Sequence, residues 1–166
     1  SDMGRIGNSR GASSVAFDLG VLYKCEINDW EGAGWSVGLH VSNLGPKINY
    51  LTSKDALPAT VKVGGAAELP FLQMHKLTLT ADLGYRLSPA DVQALSVSAG
   101  AEYAWRELVM LRGGYHCGDK KKGDASYATA GAGVEYAGVR LDFAWLFAGH
   151  EYLARNTFWV SLGYSF

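Results

Sequence analysis

The residues of this 166-residue chain whose types could do chemistry are few: four histidines, two cysteines and a scatter of serines. Hydrolysis by a serine needs a hydroxyl beside a base that a third group orients, and Ser36 with His40 is the nearest approach to such a pair. Both fall on the same side of an alternating segment, and would point into the interior of a barrel. His40, His75, His116 and His150 show no catalytic spacing and read as interior or loop side chains, so no catalytic residue is expected. Cys25 and Cys117 lack the CxxC or Cys/His spacing that holds zinc, so neither metal nor cofactor is expected. Placed near the ends of a first and a sixth strand, they would stand roughly 24 Å apart, beyond the reach of about 7 Å that a disulfide allows. Gly64-Gly65 and Gly131-Ala132-Gly133 are not followed by the Lys-Ser of a phosphate loop. Inside strand patterns they allow close backbone approach or bulges.

Composition narrows the partners. Fifteen Lys+Arg against 16 Asp+Glu, a formal net charge of −1, excludes the basic excess that a nucleic-acid surface needs. The run Lys120-Lys121-Lys122 reads as a solvated loop tip. No stretch approaches the roughly 20 apolar residues of a membrane-spanning helix. Ser1-Asp2-Met3-Gly4 carries no basic and apolar export signal, so any such signal is expected to have been removed or to lie outside this sequence.

The elements that must position these residues announce themselves by a period of two. Phe158, Val160, Leu162, Tyr164 and Phe166 alternate with Trp159, Ser161, Gly163 and Ser165, as one apolar and one small or polar face of a strand would. The same division separates Val139, Leu141, Phe143, Trp145 and Phe147 from Arg140, Asp142 and Ala144, and Leu77, Leu79, Ala81, Leu83 and Tyr85 from Thr78, Thr80, Asp82 and Arg86. It recurs at 15–24, 35–42 and 95–106, with weaker segments at 59–69, 108–117 and 127–138. These are about nine strands, most near the 9–11 residues that cross a membrane at a tilt.

Tyr23, Trp35, Tyr85, Tyr103, Trp105, Tyr115, Tyr127 and Tyr136 fall towards strand ends, where an aromatic girdle would meet headgroups. The connections alternate: 106–108 and 137–139 are tight, 86–94, 117–126 and 149–156 are long, and 25–34 and 69–76 are medium turns on the tight side. Outer-membrane barrels have this asymmetry of long external loops and short periplasmic turns. The fold predicted is an all-β, antiparallel up-and-down transmembrane β-barrel forming a single domain, with residues 1–13 as a poorly patterned lead-in. An odd strand count departs from the even number of bacterial single-chain barrels, so the barrel is expected to be incomplete at its N-terminal side, or closed by self-association or a partner chain.

The segment Val41-Ser42-Asn43-Leu44-Gly45-Pro46-Lys47-Ile48-Asn49-Tyr50, followed by Leu57-Pro58-Ala59-Thr60 and Gly64-Gly65, resembles the SNLGxKIxY and LPxxxxxG signature of the PorV/PorQ family. Gly100-Ala101-Glu102-Tyr103, Leu111-Arg112-Gly113-Gly114-Tyr115, Leu141-Asp142-Phe143-Ala144 and Ser161 to Phe166 resemble that family's C-terminal half in order. The resemblance implies a FadL-like barrel of about 14 strands, of which this chain would hold the last nine. It also implies a non-enzymatic outer-membrane role in protein secretion or surface attachment, as in type IX secretion, with secretion components or cargo signal domains as partners. Ser42, Asn43, Leu44, Gly45 and Pro46 form the motif loop.

On the barrel reading, Asp18, Lys24, Lys62, Glu68, Asp82, Arg86, Glu102, Arg106, Arg112, Glu135, Arg140 and Asp142 point inward and pair across the lumen, because unpaired charge in a confined interior is costly. Phe158, Leu162, Tyr164 and Phe166 form the aromatic C-terminal pattern read by barrel-assembly machinery. Two other functions compete: a FadL-like channel for hydrophobic solutes, and a soluble lipocalin-like barrel whose apolar face turns inward.

Overall fold

The computed structural model describes residues 15–45, 48–49, 54–55, 57–88, 93–149 and 157–165. Its chain runs through β1 (Phe17–Glu26), β2 (Gly34–Leu44), the two-residue β3 (Ile48–Asn49) and β4 (Lys54–Asp55), β5 (Thr60–Phe71) and β6 (His75–Arg86). There follow β7 (Leu95–Trp105), β8 (Val109–Cys117), β9 (Tyr127–Tyr136), β10 (Val139–Ala148) and β11 (Phe158–Tyr164). The long strands make one antiparallel sheet of nine, each beside the next along the chain, and β3 and β4 pair with each other. The all-β, up-and-down expectation is therefore met. The sheet is open, with β1 and β11 as its edges. Because every neighbouring pair is antiparallel and the sheet has nine strands, β1 and β11 run in the same direction.

Turn chemistry fixes the register. Leu72 and Gln73, Arg106 and Glu107, and Ala137 and Gly138 all take positive φ, the backbone of turns whose twist suits a hairpin. The β5–β6 connection is only 72–74, tighter than the medium turn expected at 69–76, because the ladder continues through Pro70 opposite Lys76 to Phe71 opposite His75. The connection from β1 to β2 spans 27–33. At the opposite end, 45–59, 87–94, 118–126 and 149–157 are all longer, so the expected alternation of long and short connections is present. Lys120–Lys122 forms a single 3-10 turn capped by Asp119 and by Gly123 at φ 76.

The alternation assigns two faces. Apolar residues such as Leu39, Val63, Leu83, Val97, Leu111, Leu141 and Val160 lie on one side and are exposed, Val97 at 42% and Val160 at 62%. Glycine, alanine, serine, threonine and the charged residues make up most of the other, with Leu22, Met110, Tyr127, Leu146 and Trp159 among them. Among the described residues the buried apolar side chains are Ala33, Ala94, Ala104, Met110 and Ala125, and no large side chain is fully buried. Among the described residues no core of large apolar side chains covers either face of this open sheet, and its apolar face is exposed.

Candidate functional site

The polar face carries the carboxylates, lysines and arginines of the nine-stranded sheet, and register brings together residues far apart in sequence. Glu102 on β7 stands opposite Arg112 on β8, and Arg140 on β10 opposite Glu135 on β9. Arg112 donates to Glu102 through Nε and to Asp142 Oδ1 through Nη1 at 2.6 Å. Arg140 donates from Nε to Asp142 Oδ2 at 2.7 Å and lies 3.7 Å from Glu135. The result is a ladder of alternating charge across four strands. Glu68 and Lys76 make a separate pair at 3.7 Å near the short turns.

Other charges expected to face inward have different surroundings. Lys62 and Asp82 line an open groove of about 550 Å³ on the polar face, between β1 and β6, with His40, Ser36 and several glycines. Ser36 and His40 share that groove but not a hydrogen bond, because four residues of extended strand hold them about 13 Å apart. Lys24 stands opposite Ser36. Arg86 Nη1 donates to Lys122 O at 3.3 Å, tying the 118–126 loop to the wall. Arg106 is not a strand residue: it occupies the β7–β8 turn, its guanidinium 5.5 Å from the Trp105 ring centroid. Positive φ at a turn overrode the alternation there.

Asp18 serves backbone rather than ion pairing. Between Phe17 and Leu19 the β1–β2 register slips, and Asp18 Oδ1 accepts from the backbone N–H of Asn43 at 2.7 Å. Asn43 takes φ 57 and donates through Nδ2 to Pro58 O at 3.3 Å. Ser42, Asn43 and Leu44 thus belong to the bulged end of β2, and the loop starts later than expected. Gly45 is needed where it stands, since a Cβ there would collide with Val15 O and Leu57. Pro46 lies outside the described residues, as do Phe166, His150 and the 1–13 lead-in.

Aromatic residues of the apolar face gather at its two rims. At the short-turn rim are Tyr23, Trp35, Phe71, Tyr103, Trp105, Tyr136 and Tyr164, with Tyr23 and Trp35 ring centroids 5.6 Å apart. His75, expected as an interior or loop side chain, is also on this rim, where Tyr103 Oη lies 2.6 Å from its Nδ1 and Phe71 stacks on it. At the long-loop rim are Phe17, Tyr85, Tyr115, Trp145, Phe147 and Phe158. Between them run Leu, Val, Ala and Gly, with Phe143 midway along β10. Phe158, Leu162 and Tyr164 are all on this face, at 60, 75 and 70% exposure on the edge strand. Cys25 and Cys117 are free, five strand positions apart in the sheet.

Tyr127 is the aromatic placed on the wrong side by the girdle reading. It lies opposite His116 on the polar face and stacks on that imidazole at 4.8 Å. His116 Nδ1 is 3.0 Å from Ser98 Oγ, and its Nε2 is 3.0 Å from Asp124 Oδ1. In sequence Ser36 with His40 is the nearest approach to a pair and no catalytic residue is expected, although the tight turn at 106–108 by itself sets Ser98 opposite His116.

No family model matches this chain, and no curated protein matches it.

Proposed function

We propose that this chain is an outer-membrane β-barrel protein of PorV/PorQ type, or part of one, whose apolar face is covered by lipid and whose role is in protein secretion or surface attachment. One observation carries the membrane half of that reading: an exposed Leu, Val and Ala band framed by two aromatic rims, with no large apolar side chain fully buried among the described residues. Water would make such a sheet unstable, because apolar area gains about 25 cal/mol per Å² only when it leaves water. A bilayer supplies that cover, and aromatic rims sit at its headgroups. The unpaired backbone of β1 and β11 would cost several kcal/mol per group in hydrocarbon, so on this reading each edge meets another strand. The secretion half rests on the resemblance at 41–50 and 57–65, whose residues pin the base of the 45–59 loop.

Expression in a Gram-negative host followed by membrane fractionation tests the proposal. The protein is expected in the outer-membrane fraction, with gel mobility that shifts on boiling. A monodisperse, folded protein in detergent-free buffer would refute it. The groove on β1 to β6, lined by Leu22, Ala66 and four glycines as well as Lys62 and Asp82, is the observation behind a second reading, a channel for hydrophobic solutes. Uptake of a long-chain fatty acid would support the channel, and a co-purified secretion component would support the first.

A further inference from the structure

Ser98, His116 and Asp124 form two hydrogen bonds through one imidazole, each at 3.0 Å. A carboxylate can only accept, so the ring nitrogen that faces Asp124, Nε2, carries the proton, and the Nδ1 lone pair is left aimed at the Ser98 hydroxyl. Tyr127, stacked on the ring, restrains its rotation. In chymotrypsin the two ring nitrogens have the opposite assignment, but either can take the proton if its lone pair faces the hydroxyl. Asp82, opposite Ser98 on β6, places its carboxylate over Gly64 on β5, on the far side from His116. Gly100 and Gly114, next on the same face, make a shallow floor beside the serine over which the hydroxyls of Thr80 and Thr129 reach.

We infer that Ser98 is the nucleophile of a carboxylic-ester hydrolase site on the polar face, with His116 as general base and Asp124 as its positioning residue. A shallow glycine floor, with hydroxyl rather than alkyl neighbours, suits short acyl groups. Ser98 Oγ attacks the carbonyl carbon while its proton passes to His116 Nδ1. The bond to the alkoxide breaks, and the alkoxide leaves with that proton. Water then attacks the acyl-serine, giving a proton to Nδ1 that returns to Oγ as the carboxylic acid departs. The sum is ester plus water to acid plus alcohol.

The test uses the full chain folded in detergent micelles, a fluorophosphonate probe and p-nitrophenyl acetate, and so stands apart from any membrane assay. The expected result is one adduct on Ser98, abolished in Ser98→Ala and slowed about a hundredfold in His116→Gln. Asp124→Asn should slow labelling, whereas Arg86→Gln, which removes another contact between the 118–126 loop and the sheet, should not. Equal slowing by both would reduce Asp124 to a loop anchor and overturn its role. No adduct on Ser98, in a sample whose gel mobility shows it folded, would overturn the site itself.

Discussion

Arg112 on β8 reaches across β9 to Asp142 on β10, its Nη1 2.6 Å from Oδ1, and the strand between them presents a glycine at the crossing. A Cβ on Gly133 would stand 2.5 Å from Asp142 Oδ1 and 3.1 Å from Arg112 Nη1. A side chain at this position would stand in the path of the ion pair. Gly133→Ala should force the pair apart and destabilise the folded chain by about 1–3 kcal/mol, read as a lower urea midpoint in detergent. An unchanged midpoint would mean that the arginine finds an equivalent path.

Removing the arginine tests the ladder more directly. Arg112 is the only described side chain bonded to both Glu102 and Asp142, and all three are about one quarter to one third exposed, at 29, 32 and 22%. Arg112→Gln leaves Glu102 without its partner, while Arg140 still holds Asp142. Partial exposure lets water take up some of the loss, so the expected cost is about 1–2 kcal/mol rather than the 3–5 of a fully buried pair. Double substitution with Glu102→Gln should recover part of it, and a strictly additive double mutant would contradict a direct bond.

The two faces should respond oppositely to charge. Leu79 lies mid-band on the apolar face at 43% exposure, and Leu79→Arg in lipid vesicles should cost about 2–4 kcal/mol if hydrocarbon covers it. Tyr136→Arg, at the short-turn rim, should cost about 0–1 kcal/mol. Urea unfolding in vesicles reads both. Equal, near-zero costs would place water, not lipid, against this surface.

How much of this was legible in sequence depends on the distance over which the controlling interaction acts. Alternation is local, so the strands, their two faces and the long and short connections could be read directly from runs such as 77–86 and 139–148. Hairpin register is nearly local: a turn at 106–108 puts Glu102 opposite Arg112 and Ser98 opposite His116. Arg112 to Asp142 skips a strand, and Asp124 returns from a loop, so neither contact has a signature in spacing. Tyr127 lies on the polar face although its type and strand-end position suit a girdle, because parity along the strand, not residue type, decides the side. Closure lies beyond local pattern altogether, since it depends on what meets β1 and β11.

The β9–β10 turn can be improved. Ala137 holds φ 51 and Gly138 φ 80, and a non-glycine residue pays for the left-handed conformation unless, like asparagine, it tolerates it. Ala137→Asn should raise stability by about 0.5–1 kcal/mol. Gly138→Ala should lower it by more, because φ is positive and the new Cβ would meet Ser165 O. Both are read from the urea midpoint.

The bulge at the end of β2 ties loop geometry to the motif. Asn43 combines a left-handed backbone, an N–H bonded to Asp18 and a side chain bonded to Pro58 O, so one residue joins β1, β2 and the return of the 45–59 loop. Asn43→Ala loses the residue's tolerance of positive φ and the bond to Pro58, and should cost about 1–2 kcal/mol. Asn43→Gly keeps the backbone and loses only the bond, so its cost should be nearer 1 kcal/mol. Asp18→Ala removes the acceptor of the Asn43 N–H from the same bulge. If the bulge positions the loop, Asn43→Ala and Asp18→Ala should both quicken protease cleavage within 45–59 while leaving the 118–126 loop unaffected. Cleavage that rises equally in both loops would point to general loosening of the sheet instead.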